Sequence, residues 1–445
     1  MNLKLETHSL KQQYPYYRRN LVAFVADVVF FRVGMAFLDS AIVLPALVRQ
    51  LTLSAPLVGL VSAMGRGLWM LPQLVAANYV TGKPRQKPYV IIPVSIGRSF
   101  TFLFALVLFL GLDLRPLLLY GMLLVWVTIF WVCDGLCSVP WFHLISKTIP
   151  PDRRGRIFGL GQALGGVLAV GVGLIVRYLL GQQGPPFPVN YAWLFVLGGT
   201  AFYISLSATS MIAEDPEPVA IERLPWRVYL PRLITVLGQD ADFRLVTLVR
   251  LLLGAGGMAA PYYVLYATEQ LGLSREAIGF FLSVQVGASV LFGLLMGYLH
   301  GRAGCKRVIE LATFMGLLSP LGALTVPHLI PTRGTAFLWA YALVFVALQG
   351  VMSAMMPGFM NFVMEIAPRE EGPTYVGLAN TLGAVLFIYP LLGGVLLEEL
   401  SYPGLFSITA LAVGAGLLLS PRLREPREMQ PRHLSSAERR SATEG

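Results

Sequence analysis

The segment TIPPDRRGRIFGLGQALGGVL, residues 148–168, recurs as EIAPREEGPTYVGLANTLGAVL at residues 365–386, with one residue inserted in the second copy. Gly159 matches Gly377 and Gly165 matches Gly383, both at an offset of 218 residues, close to half of the 445-residue chain. The same alignment pairs Gln162 with Asn380. A repeat of half the chain length predicts two copies of one structural unit in parallel orientation.

The composition around this repeat is that of a membrane protein. Hydrophobic residues make up 56% of the chain and charged residues only 13%, and the mean hydropathy is +0.66. Windows of about 20 apolar residues, the length needed to cross a bilayer, occur twelve times, six in each half. They lie at 21–48, 56–80, 88–111, 116–146, 156–180, 190–212, 243–268, 276–299, 307–329, 335–364, 374–397 and 402–420. We number them spans 1 to 12 and expect them to be helices, because a helix satisfies its own backbone hydrogen bonds in lipid.

The position of the basic residues predicts the orientation of these spans. Of the Lys and Arg residues, 25 lie on the side of the termini, 5 in the opposite loops and four inside spans. The positive-inside rule then places both termini in the cytoplasm, in a cell inner membrane. The net charge of +10 therefore reports topology, and no nucleic-acid partner is expected.

Composition also predicts the domain boundaries. A cytoplasmic segment, 1–20, precedes an N-terminal six-helix bundle at 21–212, and a C-terminal bundle occupies 243–420. The polar stretch 213–242 reads as a cytoplasmic linker that includes an interfacial helix over 224–237, where aromatic and leucine residues recur at helical spacing. The tail 421–445, rich in Pro, Arg, Glu and Ser, is expected to be disordered.

After span 8 the chain reads GYLHGRAGCKR, residues 297–307. This loop resembles the signature loop of the major facilitator superfamily, with Gly297, Leu299, Arg302, Gly304 and Lys306 in register. Gly301 stands where the family usually has Asp. The resemblance implies an all-α integral membrane fold of twelve transmembrane helices in two six-helix bundles, which rock around a central cavity. It further implies that the loop, including Gly297, Arg302, Gly304, Lys306 and Arg307, biases the conformational equilibrium; enforcing topology is the alternative role for its basic residues.

Ionisable residues inside spans are the candidates for function, because a charge at the bilayer centre costs about 3 kcal/mol or more on insertion scales. By the resemblance, spans 1, 2, 4, 5, 7, 8, 10 and 11 line the cavity. The expected substrate and ion pathway therefore comprises Asp39, Arg66, Asp134, Gln162, Arg250 and Asn380. Arg98 in span 3 is expected to be a structural charge partner, and Arg32 lies nearer the start of span 1.

Asp134 lies in the apolar run WVCDGLCSVPWF, residues 131–142. Two hypotheses stay open for it. One is a permanent salt bridge to Arg98 that pins two helices. The other is a proton- or substrate-linked carboxylate that changes protonation as access alternates.

Several kinds of chemistry have no sequence support. The five histidines show no metal-ligand spacing, and there is no phosphate-binding loop, G-x-S-x-G elbow or H-E-x-x-H motif. We therefore expect no cofactor, no metal and no enzyme activity. We expect a monomeric secondary transporter that moves a small solute. Its other expected partners are protons, as the coupling ion, and membrane lipids.

Efflux of an amphipathic compound is slightly favoured, because apolar and aromatic helices dominate. The alternatives are uptake or exchange of sugars or organic anions and, in different classes, an intramembrane lipid-modifying enzyme or a membrane sensor.

Overall fold

The computed structural model describes residues 14–80, 83–111, 115–150, 153–216, 238, 240–331, 334–368 and 372–429. These residues form helices and their connections, with no strand among them. In the N-terminal half the helices are α1 Tyr17–Phe37, α2 Val43–Leu51, α3 Ala55–Val80, α4 Lys87–Leu110, α5 Pro116–Thr148, α6 Arg154–Leu180 and α7 Val189–Ser210. In the C-terminal half they are α8 Ala241–Gly254, α9 Gly256–Ala259, α10 Tyr262–Glu269, α11 Glu276–Leu329, α12 Thr335–Ala354, α13 Asn361–Ile366, α14 Gly372–Gly383, α15 Tyr389–Leu419 and α16 Pro426–Met429.

Nine helical segments in this part of the chain are long and apolar enough to cross a membrane. Large apolar side chains on them face outward, for example Leu103 at 50% exposure and Leu411 at 74%. In a water-soluble protein such a surface would favour aggregation, whereas lipid tails solvate it. The fold is therefore that of a multi-pass membrane protein.

Two stretches are long enough for two crossings each: α11 and the segment Tyr375–Glu428, which contains α15. α11 has 54 residues, about 80 Å at 1.5 Å per residue, and bends at Gly304, whose φ of 81° lies in the left-handed region that suits glycine. α15 bends at Ser401, with φ 62°. These bends fall where the sequence predicts the turns between spans 8 and 9 and between spans 11 and 12. The total of twelve spans stays a prediction.

Four spans that the sequence pattern predicts as continuous helices are interrupted. Span 1 breaks between α1 and α2, span 7 breaks around Pro261, span 10 contains the π-helix Met355–Met360 and span 11 contains the 3-10 turn Ala384–Phe387. Proline lacks an amide hydrogen and clashes with the preceding turn, which accounts for the break at Pro261. Hydropathy windows do not detect such breaks, because the interrupted residues stay apolar.

The described residues group into two contact units. Unit 1 contains those within 1–222 together with Val264–Val290, and unit 2 contains those within 223–263 and 291–445. In unit 1, α1 packs on α6 and α7, and α5 packs on α3 and α4. In unit 2, α8 packs on α13, α14 and α15. Residues 264–290, which belong to the second half of the repeat, thus pack with the first half.

The beginning of the expected disordered tail is ordered. Ser420–Arg422 forms a 3-10 turn, Leu423 is buried and α16 follows. The expected interfacial helix at 224–237 lies outside the described residues.

Candidate solute and ion pathway

A polar cluster around Arg32 connects three helices of unit 1. The Arg32 guanidinium of α1 donates from Nη1 to Gln162 Oε1 of α6 and from Nη2 to Ser289 Oγ of α11, the latter at 3.2 Å. The third nitrogen of the guanidinium group, Nε, is buried and makes no hydrogen bond. An unpaired buried donor is costly, which makes Arg32 a candidate for binding an acceptor group.

Asp39 extends this cluster along α1 and α11. Its Oδ1 accepts the amide hydrogens of Ala41 and Ile42 at 2.9 and 2.8 Å, so it caps the turn between α1 and α2. Gln285, one turn before Ser289 on α11, donates to Asp39 Oδ2 at 3.5 Å. The Gln285 Oε1 atom is buried and accepts no hydrogen bond. We name Arg32, Asp39, Gln162, Gln285 and Ser289 the Arg32 cluster; it offers one free donor and one free acceptor.

Arg250 occupies the corresponding position of unit 2. It lies 218 residues after Arg32, the offset of the repeat. Its Nη1 donates to Ala379 O of α14 at 3.1 Å, and its Nε is buried without a hydrogen bond. A Cβ added at Gly383 would come within 3.1 Å of the Arg250 guanidinium, just as one at Gly165 would come within 3.2 Å of Arg32 Cδ. The repeated glycines thus make room for the repeated arginines.

The two remaining expected pathway residues lie on α14 and α3. Asn380 is partly buried on α14, one position after the carbonyl that Arg250 binds. The backbone of Arg66 lies in α3, but its side chain lies outside the described part of the chain.

Asp134 belongs to a second charged group, inside unit 1. Trp69 donates a side-chain hydrogen bond to its carboxylate, and the Cys137 thiol donates to its backbone oxygen at 3.1 Å. Arg98 is buried and donates to Phe202 O at 2.7 Å rather than to Asp134. Its charge is attracted first by Asp27 and second by Asp134. This arrangement supports a shared charge cluster more than a two-residue salt bridge.

Asp27 is a buried carboxylate that the sequence analysis missed. It accepts hydrogen bonds from Trp141 Nε1 at 2.8 Å and from Ser205 Oγ, and it is 6% exposed. The sequence feature that could have identified Asp27 is an acidic residue within the apolar run VAFVADVVFF, residues 22–31, near the start of span 1. Arg32 was passed over for the same reason, although the repeat offset relates it to Arg250. We name Asp27, Arg98 and Asp134 the Asp27 cluster.

The signature loop is held by acidic residues from outside it. The Lys306 amide donates to Glu425 Oε2 at 2.9 Å, and Lys306 Nζ donates to Pro421 O at 2.9 Å. Arg302 donates to Tyr298 Oη at 2.9 Å, and Arg307 pairs with Glu310 at 2.7 Å. Gly297 is exposed. Glu425, on the segment after span 12, thus provides a carboxylate in a loop where Gly301 replaces the family's Asp.

Comparison with known proteins agrees with this architecture. Residues 246–444 match the family model described as Major Facilitator Superfamily. The resemblance to the major facilitator superfamily is confirmed. A solved structure of the nucleoside transporter NupG (D323A mutant) superposes on the chain with a TM-score of 0.66 at 13% identity, covering 92% of this chain and 99% of that one.

Two other solved structures are similar to the chain to about the same degree. The peptide transporter POT (E310Q mutant) has a TM-score of 0.65 at 12% identity, covering 91% of this chain and 93% of that one. A D-xylose-proton symporter has a TM-score of 0.64 at 14% identity, covering 92% and 98%. A search of curated proteins finds no match to the chain. At these identities the likeness establishes the fold and not the solute.

Proposed function

We propose that this protein is a secondary transporter that moves a small polar solute across the cytoplasmic membrane by alternating access, with the Arg32 cluster as its binding group. The supporting observation is a pair of buried atoms of this cluster that make no hydrogen bond, the donor Arg32 Nε on α1 and the acceptor Gln285 Oε1 on α11. A solute that carries both an acceptor and a donor satisfies both atoms. An organic acid with a hydroxyl or amino group has this chemistry.

The chemistry of this cluster favours an organic anion or a sugar over an amphipathic compound as the solute. Two aromatic residues of span 7 pack into the protein and do not line a lipophilic site. Tyr263 is fully buried, and its ring lies 5.1 Å from the ring of Phe406 at an angle of 31°; Tyr262 donates to Pro390 O at 2.9 Å. The similar solved structures are of a peptide transporter, a nucleoside transporter and a D-xylose-proton symporter, whose solutes are polar, which agrees with this preference.

Protons are the proposed coupling ion, and the Asp27 cluster is their proposed site. Two carboxylates share one guanidinium there, so the cluster can gain a proton without leaving a positive charge unpaired in the protein interior. The same arrangement can lose that proton when the opposite side of the membrane becomes accessible. The termini are proposed to be cytoplasmic and the working unit a monomer.

The test is a thermal-shift screen of the purified protein against organic acids, sugars and lipophilic cations. A ligand that binds only the folded state raises Tm by mass action. We expect organic acids or sugars to raise Tm and this shift to be lost in Arg32→Ala. Stabilisation by lipophilic cations alone, retained in Arg32→Ala, would contradict the proposal. A compound that passes the screen is then followed as radiolabelled flux into proteoliposomes under an imposed pH gradient.

A further inference from the structure

Three side chains with metal-binding atoms meet beside the signature loop, although no local spacing in the sequence marks them. His300 lies just before the bend of α11, Cys305 just after it, and Glu365 on α13. One ligand atom from each lies within 4.8 Å of the other two. All three belong to unit 2, on the side of the membrane that the basic residues assign to the reducing cytoplasm, where a cysteine stays a thiol.

The geometry at the centre of this group is close to that of a metal site. Cys305 Sγ lies 3.6 Å from His300 Nδ1. In a tetrahedral zinc site, a sulfur at about 2.3 Å and a nitrogen at about 2.0–2.1 Å from the ion are separated by about 3.5 Å. Cys305 is fully buried, and Glu365 is a hydrogen-bond partner of its thiol.

Two carboxylate oxygens near this group also have unused capacity. Glu365 Oε2 and Glu425 Oε1 are buried and accept no hydrogen bond. Glu425 is fixed on its other oxygen by the Lys306 amide, and it interacts electrostatically with Cys305. A cation bound between these residues would satisfy both oxygens. Glu425 is therefore a candidate for a fourth ligand, with a water as the alternative.

One basic side chain competes for the same place. Arg427 Nε lies 4.0 Å from Glu365 Oε2, and its Nη2 lies 3.5 Å from His300 Nε2. Asn361 Nδ2 lies 3.3 Å from the same histidine nitrogen. The Arg427 side chain is 42% exposed, so it can swing into solvent when a metal takes over the neutralisation of Glu365.

We propose that His300, Cys305 and Glu365 bind a thiophilic divalent transition metal, with Zn²⁺ the best fit to a sulfur, nitrogen and oxygen ligand set. The ion would join the two arms of the bend in α11 to α13. Because Glu425 and Arg427 lie on the segment after span 12, the ion would also control how that segment contacts the signature loop. This site is separate from the Arg32 cluster and does not depend on the proposed solute.

The test uses Co²⁺ as a spectroscopic probe on the detergent-purified full-length protein. We expect about one Co²⁺ per chain, an absorption band of thiolate-to-cobalt charge transfer, and loss of this band when Zn²⁺ is added. Cys305→Ser is expected to abolish the band, and His300→Ala to weaken Zn²⁺ binding by at least about tenfold. The matched controls are Cys133→Ser on α5 and His143→Ala near the end of α5, which should leave both signals unchanged.

The Arg427→Gln variant distinguishes a metal site from a cluster that hydrogen bonds alone hold together. Removing the competing cation is expected to tighten Zn²⁺ binding by up to about fivefold, the equivalent of an exposed ion pair. A cobalt band that is absent from the unaltered protein, or that persists in Cys305→Ser, would overturn the proposal. So would Zn²⁺ binding that weakens in Arg427→Gln, because the arginine would then be supporting the site.

Discussion

At the scale of the residue, burial decides what each polar group can do. Gln162 and Asp39 already have partners that fix their position, whereas Arg32 keeps one buried nitrogen without a hydrogen bond. The same is true of Arg250 in the second unit. A polar group that is held in place but incompletely paired is a better candidate for binding than one that is fully satisfied.

Arg32→Ala should weaken solute binding by about 10- to 100-fold, because a hydrogen bond to a charged group contributes about 1.5–3 kcal/mol. Arg32→Lys should recover only part of the affinity. The ammonium group of lysine lacks the planar fork of donors with which the guanidinium would bind Gln162, Ser289 and a solute together. Titration of the Tm shift against the ligand identified in the screen measures both. Unchanged affinity in Arg32→Ala would remove Arg32 from the site.

Asp134→Asn should abolish accumulation driven by a pH gradient and leave solute counterflow intact, because exchange of solute for solute needs no net proton movement. Both are measured with the same proteoliposomes. Asp27→Asn is the comparison: since Asp27 accepts from Trp141 and Ser205, it should also lower Tm. Gradient-driven accumulation that survives in Asp134→Asn would exclude Asp134 as a coupling group.

At the scale of the element, the glycines of α6 determine which helices can meet. A Cβ at Gly161 would collide with Val28 of α1, and one at Gly173 would lie 2.6 Å from Gly279 O of α11. Ser283 of α11 also donates to Val170 O at 3.0 Å. Close backbone approach through small residues is a general means of helix packing in membranes. Here it places α6 against both helices that share the Arg32 cluster.

Gly173→Ala should destabilise the protein by about 1–3 kcal/mol, the usual cost of overpacking, and should reduce transport. Gly171→Ala is the matched control on the same helix, because nothing lies within 4 Å of the Cβ that it adds. Thermal unfolding in detergent and flux in proteoliposomes report the two effects. Equal Tm values for the two variants would contradict the close contact at Gly173.

Helix interruptions are the second feature at this scale. α1 ends at Phe37, and the Asp39 side chain accepts the backbone amides of Ala41 and Ile42 in the turn before α2. Irregular backbone at membrane depth is tolerated where protein or a wet cavity surrounds it. In this protein the interruption in span 1 lies beside Gln285, which agrees with a pathway there.

At the scale of the whole molecule, alternating access requires contacts that exist in one state only. Residues 264–290 pack within unit 1. There Arg49 forms a bidentate ion pair with Glu269, in which Arg49 Nη2 donates to Glu269 Oε2 at 3.1 Å. Arg177 lies 3.7 Å from Glu276. By the positive-inside assignment these pairs lie at the outer surface. We interpret them as an outer gate that must open for access from outside.

Glu269→Gln should weaken this gate and raise the rate at which an impermeant thiol reagent labels a cysteine introduced at Ser289. The background is a chain in which Cys133, Cys137 and Cys305 are replaced by Ser. Because the Arg49–Glu269 pair is partly exposed, we expect an effect of up to about fivefold. Glu399→Gln, which neutralises an exposed carboxylate of α15, is the control and should not change the rate. Slower labelling in Glu269→Gln would contradict the gate.

The amino-acid sequence by itself determined the membrane class, the helical fold, the superfamily resemblance and the repeat at an offset of 218 residues. These follow from hydropathy, glycine positions and the loop at 297–307, which are properties of local segments. The repeat also related Arg250 to Arg32, although the pairing became visible only when Gly165 and Gly383 were found against them.

Only the tertiary structure decided which polar groups meet. Arg32 joins Gln162 and Ser289 across 130 and 257 residues of sequence, and Glu365 reaches Cys305 from another helix. It also added Asp27 to the charges that surround Arg98 and Asp134. The physical reason is that hydropathy fixes how deep a residue lies in the membrane, whereas the rotation and packing of each helix fix the direction in which its side chain points.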